Sequence, residues 1–155
     1  MRTDQELMAE VVGAFGGVSR PARFLPDVGD YEFDEHDELL QSKTIETISR
    51  TDLRSSWDPL TNCCAQGVAY FFPAMARICL EPTNDPWGWY AEEMLFHLTY
   101  RGTENKFIRF CGQQQRVAVM HLIEHLLETR TQYIEQSCLP EDFEECVKLW
   151  RASCT

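Results

Sequence analysis

Cys64-Ala65-Gln66-Gly67-Val68-Ala69-Tyr70-Phe71-Phe72-Pro73-Ala74-Met75-Ala76-Arg77-Ile78-Cys79-Leu80 is the longest apolar run in the chain, and only Gln66 and Arg77 interrupt it with strongly polar side chains. A segment that is apolar on nearly every face must be covered on all sides, so this run is expected to be the centre on which the other elements pack. It is shorter than the roughly 20 residues a membrane span needs, and it carries Pro73 and Arg77 without basic flanks, so no membrane association is expected. Proline lacks an N–H and pushes the preceding residue away from helical angles, so a break is expected at Phe72-Pro73.

Around this centre the sequence reads as helices. Leu7, Val11, Ala14 and Phe15 share one face of a helix over 4–15, which Gly16 and Gly17 end. Residues 19–31, with Pro21, Pro26 and Gly29, form a connecting loop. Asp34, with Asp37 three residues on, is expected to cap a helix over 34–41. Ser49 and Asp52 repeat that signature at the start of a short helix near Leu53, and Thr61 or Asn62 is the expected cap of the central run. Glu81-Pro82-Thr83-Asn84-Asp85-Pro86 reads as a loop. Ala91, Met94, Leu95 and Leu98 mark the next helix, which Arg101-Gly102 breaks. Thr103 is suited to cap a short turn carrying Phe107, Ile108 and Phe110. A long helix follows over 113–136, with Val119, Leu122, Ile123 and Leu126 on its buried stripe, and Pro140 opens a last one bearing Phe143, Cys146, Val147 and Trp150. No segment alternates convincingly with a period of two. The expected fold is all-α: a single-domain irregular helical bundle over 1–155, built around a central hydrophobic, Pro-broken helix.

Composition narrows the function. The chain has 155 residues, enough for one self-sufficient core, with 44% hydrophobic and 25% charged residues, the balance of a folded protein. Fourteen Lys and Arg against 25 Asp and Glu give a net charge of -11, which repels phosphate backbones, so nucleic acid is not an expected partner. Seven cysteines with no CxxC spacing suggest reduced, mostly buried thiols rather than disulfides or a zinc ribbon. Early acids and the lack of an apolar stretch of signal-peptide length point to a cytoplasmic location.

Pro59-Leu60-Thr61 leading into Tyr70-Phe71-Phe72-Pro73-Ala74-Met75, and then Phe110-Cys111-Gly112-Gln113-Gln114-Gln115-Arg116-Val117-Ala118-Val119, resembles a bacterial family of small helical proteins of unknown function. In that family a Phe-Pro-Ala core helix precedes a helix opened by Phe and Gln. The resemblance spans 59–128. It implies an all-helical domain and supplies neither a catalytic residue nor a cofactor.

Four groups of residues are candidates for chemistry. Asp27, Asp30, Glu32, Asp34, Glu35, Asp37 and Glu38 form an acidic block containing His36 and no base. It has oxygen ligands for a hard cation, but it lacks the alternation and glycine of an EF-hand loop, so it is either a solvated helix start or, through Asp34, Glu35, Asp37 and Glu38, a surface for a basic protein. Trp87, Trp89 and Tyr90 are either an interface anchor or a lid over the core, and the sequence sets no oligomeric state. His121-Leu122-Ile123-Glu124-His125 matches HxxEH, in which two histidines hold zinc and the Glu activates water. Here His121, Glu124 and His125 fall opposite the buried stripe and are expected to face solvent, with no third ligand evident. Cys63-Cys64 stands at a helix start, where the dipole acidifies a thiol, and His97 could partner it in space. The leading expectation is a non-catalytic module that binds a basic protein through its acidic surface, as small acidic toxin-neutralising proteins do. The alternative is a metal-dependent hydrolase using 121–125.

Overall fold

A computed structural model describes residues 1–26, 29–81, 86–137 and 139–155. Asp27, the central part of the 81–86 loop and Cys138 lie outside the described residues. The described residues form eight α-helices and no strand: α1 (Asp4–Phe15), α2 (Tyr31–Ser42), α3 (Ala65–Leu80), α4 (Ala91–Thr99), α5 (Lys106–Phe110), α6 (Gln113–Thr129), α7 (Thr131–Gln136) and α8 (Pro140–Ser153). The fold is an all-α bundle, as expected.

The apolar run is the helix α3, and α1, α4 and α5 pack on it. It is not broken: Pro73 lies inside a continuous helix, fully enclosed between Phe72 and Ala74. A proline in a helix interior costs about 3 kcal/mol, and burial of Phe71, Phe72, Met75 and Ile78 along the same helix offsets that cost. A line of rings then ties the layers together. Phe15 of α1 meets Phe72 of α3 at 4.7 Å between centroids, Phe72 meets Phe107 of α5 at 5.4 Å, and Phe107 meets Trp150 of α8 at 5.6 Å. The Trp150 indole donates to the Leu98 carbonyl at the end of α4, 2.9 Å away, which seats α8 on α4. The helix α6 lies between α1 and α8.

Several boundaries differ from the sequence reading, each for a local reason. The N-cap of α2 is Asp30, whose carboxylate accepts from Phe33 N, so the helix starts a turn earlier than Asp34. Ser49 and Asp52 do pair, with Ser49 N donating to Asp52 at 2.9 Å, but they close a turn rather than start a helix. The cap of α3 is Cys64, not Thr61 or Asn62, because Cys64 N is drawn to the Phe24 carbonyl at 2.8 Å. Asn105 rather than Thr103 caps α5, accepting from Phe107 N and Ile108 N. The helix expected over 113–136 is two, since Arg130 leaves helical angles (φ -120°, ψ 28°) between α6 and α7.

Arginines close helix ends throughout. Arg20 donates to the carbonyls of Leu40, Gln41 and Lys43 at the end of α2, Arg116 to those of Ile108 and Ser153 at the ends of α5 and α8, and Arg130 to that of Leu80 at the end of α3. Carbonyls left over at a helix C-terminus carry partial negative charge, and a guanidinium satisfies two or three at once. These cations serve the fold, and the chain's excess of carboxylates is left to define its surface. No helix among the described residues is long and apolar enough to cross a membrane.

Candidate functional site

The acidic block divides in two. Asp37 is buried and accepts from Phe24 N and Leu25 N at 2.7 and 3.2 Å, while Asp34 takes Arg23 at 2.7 Å, so both carboxylates stitch the 20–26 loop to α2. Glu35 is half-buried, and Tyr31, Glu32 and Glu38 face solvent. Trp89 is buried: its indole donates to the Cys79 carbonyl at 2.9 Å and its ring stacks on Phe143. Trp87 is 38% exposed, with the Arg54 guanidinium 5.3 Å from its ring.

His121, Glu124 and His125 line an open pocket of about 440 Å³ together with Arg2 and Glu128, and His121, Glu124 and Glu128 reach solvent there, as expected. His125 does not: it is buried against α1. His121 Nδ1 lies 2.6 Å from Glu10, His125 is buried with Nε2 2.7 Å from Asp4, and Glu124 takes Arg151 at 2.8 Å. A periodicity calculation on one helix sees only its own stripe, and the partner carboxylates sit on another helix more than 100 residues earlier. No group of three or more His, Cys, Asp or Glu among the described residues is arranged to hold a metal.

A different constellation assembles between the 58–62 turn and α4. Asp58 precedes Pro59 and closes its own turn, with Leu60 N donating to Oδ1 at 2.9 Å; this leaves Oδ2 to meet His97 Nε2 at 2.7 Å in the interior. On α4, Glu92 and Glu93 occupy the first turn, where the helix dipole favours acids. Phe96 and His97 follow one turn later, so Glu92 stacks beside Phe96 and Glu93 beside His97. Asp58, Thr61, Glu92, Glu93 and Phe96 line a cleft of about 390 Å³. A second cavity of about 190 Å³ adjoins it across Thr61 and Phe96, with Tyr100 and Lys106 on its walls.

The electrostatics of this cleft are unbalanced. Glu93 Oε1 accepts from Arg50 at 3.1 Å, but Oε2 is buried with no hydrogen-bond partner among the described residues, and the enclosed Tyr90 hydroxyl has none either. Arg50 is committed elsewhere too, donating to the Leu53, Trp87 and Gly88 carbonyls. Burial raises the Glu93 carboxyl above its usual range, with Arg50 opposing. Burial, and then the fields of Asp58, Cys79 and Glu93, push the Tyr90 phenol well up, so it stays protonated. Phe96 is 45% exposed above these groups and lies 5.1 Å from the ring of exposed Tyr100. A buried carboxylate oxygen without a partner is costly even when Arg50 holds the other, so the cleft is chemically suited to a cation with several N–H donors and a face that can lie on an aromatic ring.

The cleft meets the acidic helix through His36, which is buried edge-on against Trp57 at 4.1 Å and feels the charges of Glu32, Asp58 and Glu35. His97, a possible partner of Cys63-Cys64 on sequence, is instead held by Asp58. Comparison of the chain with protein-family models, curated proteins and solved structures finds no match.

Proposed function

We propose that this protein is a non-catalytic binding module for a basic protein, and that an arginine of the partner enters the Asp58–Glu93 cleft. The single observation that carries the reading is Glu93 Oε2, buried without a partner beneath exposed Phe96. A guanidinium supplies donors to Glu93 and Asp58 in one plane and lays its face on Phe96, a contact worth about 0.5 to 2 kcal/mol. Exposed Glu32 and Glu38 of α2 extend the acidic approach, so attraction precedes contact and weakens with salt. Cations committed to helix ends do not cancel this field. The same charge disfavours nucleic acid, and a cytoplasmic protein of this kind is suited to sequestering or neutralising a basic protein.

The test is an NMR titration with a blocked arginine-rich peptide, paired with the same peptide carrying citrulline, a neutral isostere, at each arginine. The expected result is saturable shifts at Thr61, Glu93 and Phe96 with the arginine peptide alone, weakened at least tenfold by Glu93→Gln or Phe96→Ala. Equal binding of both peptides, or shifts confined to another face, would overturn the proposal.

A further inference from the structure

The smaller cavity beside the cleft is built by the turn that joins α4 to α5. Asn105 is buried in that turn: its amide donates to the His97 and Tyr100 carbonyls at 2.9 and 3.0 Å, and its oxygen accepts from Phe107 N and Ile108 N. One side chain therefore fixes the end of α4 against the start of α5, and Val68, Phe96, Tyr100 and Phe107 line a space of about 190 Å³, more enclosed than the cleft. Arg101 and Lys106 line it too. Most arginines and lysines of the chain are taken by carboxylates or by helix-end carbonyls. These two have no carboxylate partner among the described residues, because Glu104 beside them is taken by Arg109 at 2.9 Å. Lys106 Nζ is anchored on the Cys63 carbonyl, which uses one of its three donors. Arg101 is also the one non-glycine residue among the described residues at positive φ, 66°, a conformation an L side chain adopts only under strain. Strain of this kind concentrates at binding sites.

We propose that this cavity binds a small monocarboxylic acid, with an apolar group of one ring or a short branched chain against Phe96, Tyr100 and Phe107 and its carboxylate between Arg101 and Lys106. Volume sets the size: the space is below the about 300 to 1,000 Å³ of sites for drug-sized ligands. The apolar walls call for an apolar group, whose transfer from water drives binding. A guanidinium and an ammonium without carboxylate partners call for an anion, which charge-assisted hydrogen bonds would hold. That anion carries one charge. The chain's net charge of -11, with Glu104 on the cavity and Asp58, Glu92 and Glu93 on the adjoining cleft, repels a second, so phosphate esters and dicarboxylates are poor fits. The proposal does not rest on the arginine reading, although Thr61 and Phe96 border both spaces.

Phenylacetate is the probe, with neutral phenylacetamide and inorganic phosphate as controls, each titrated into isotope-labelled protein and followed by NMR. The expected result is saturable shifts at Val68, Tyr100 and Lys106 with phenylacetate, binding about fivefold or more weaker with phenylacetamide, and no saturable shift with phosphate. Arg101→Gly removes the guanidinium and suits the backbone angle, so it is expected to keep the wild-type Tm while weakening phenylacetate about threefold or more. Lys106→Gln keeps a donor for the Cys63 carbonyl and is expected to weaken it by a similar factor. Glu93→Gln, which disrupts the arginine contact, is expected to leave phenylacetate binding within about twofold of the wild type, so the two proposals fail separately. Equal binding of the acid and its amide, phosphate binding as tight as that of phenylacetate, or shifts confined to another face would overturn the proposal.

Discussion

His125 Nε2 lies 2.7 Å from Asp4 Oδ1, and Arg130 reaches the other oxygen of the same carboxylate at 2.8 Å, so one acid in the first turn of α1 fastens the middle and the end of α6. The Arg130 hydrogen bond holds the Asp4 carboxyl below its ordinary value, against an opposing effect of burial and with help from His125. An acid depressed in the folded state contributes stability that is present above its unfolded value and lost as pH falls through its folded one. Asp4→Asn keeps one acceptor oxygen but removes the charge that His125 and Arg130 share, and on a half-exposed carboxylate this is expected to cost about 0.5 to 1 kcal/mol at pH 7. In urea unfolding followed from pH 7 downward, the gap between variant and wild type should close below about pH 4. A gap that stays constant to pH 2 would show that the carboxylate charge plays no part.

Glu93 makes the opposite prediction. Its carboxyl is raised by burial, so the folded state holds its proton more tightly than the unfolded chain, and stability drops as pH rises through the interval between the two values. Glu93→Gln keeps an acceptor for Arg50 and removes a charge that burial disfavours by more than Arg50 offsets. It should therefore gain about 1 kcal/mol at pH 7, a rise in Tm of about 2 to 4 °C, while losing the arginine peptide. Calorimetry checks the first part and titration the second. A variant that loses both stability and binding would make Glu93 a structural residue.

Cation binding and Glu93 ionisation are linked through the same carboxylate. A guanidinium favours the charged form, so peptide binding should strengthen as pH rises through the raised Glu93 value, with release of a proton where that group is partly protonated. Isothermal titration in two buffers of different ionisation enthalpy measures the proton count. Binding that is flat between pH 4 and 8 would place the contact away from Glu93.

His36 adds a separate dependence. Both ring nitrogens are buried without a hydrogen-bond partner among the described residues, and burial lowers its proton affinity although Glu32, Asp58 and Glu35 pull the other way. A base depressed in the folded state costs stability as pH falls from about 6.5 toward its folded value. His36→Phe keeps a ring against Trp57, and it should flatten the loss of stability between pH 7.5 and 5 measured by urea unfolding. An unchanged slope would assign that loss to other groups.

The fold was legible where one helix's own pattern decided it. The run from 64 to 80, the stripe from Leu7 to Phe15 and the proline at 140 all located helices, because apolar spacing and first-turn chemistry are local. The site was not legible for the converse reason. Asp58 reads as a turn acid and Glu93 as a first-turn acid, and nothing local shows that the turn folds against α4 and brings the two into one cleft. The i, i+4 pairs Glu92 with Phe96 and Glu93 with His97 were the one visible signal. At 121–125 the burial of His125 and the pairing of both histidines were hidden for the same reason, since Glu10 and Asp4 reach them from across the bundle. Pro73 shows local chemistry overruled: the burial of an entire helix outweighs one missing donor.

Two helix glycines provide a final contrast. Gly13 of α1 is exposed, with nothing within 4 Å of a Cβ built on it, whereas the same atom on Gly67 would meet Cys63 Sγ at 2.4 Å and Phe24 Cδ1 at 2.7 Å. Gly13→Ala removes backbone freedom from the unfolded chain without a clash and should stabilise by about 0.5 to 1 kcal/mol. Gly67→Ala must displace a buried sulfur and a core ring, and should destabilise by about 1 to 3 kcal/mol. Urea unfolding of the two variants measures this, and a Gly67→Ala protein as stable as the wild type would show that Cys63 and Phe24 move aside without cost.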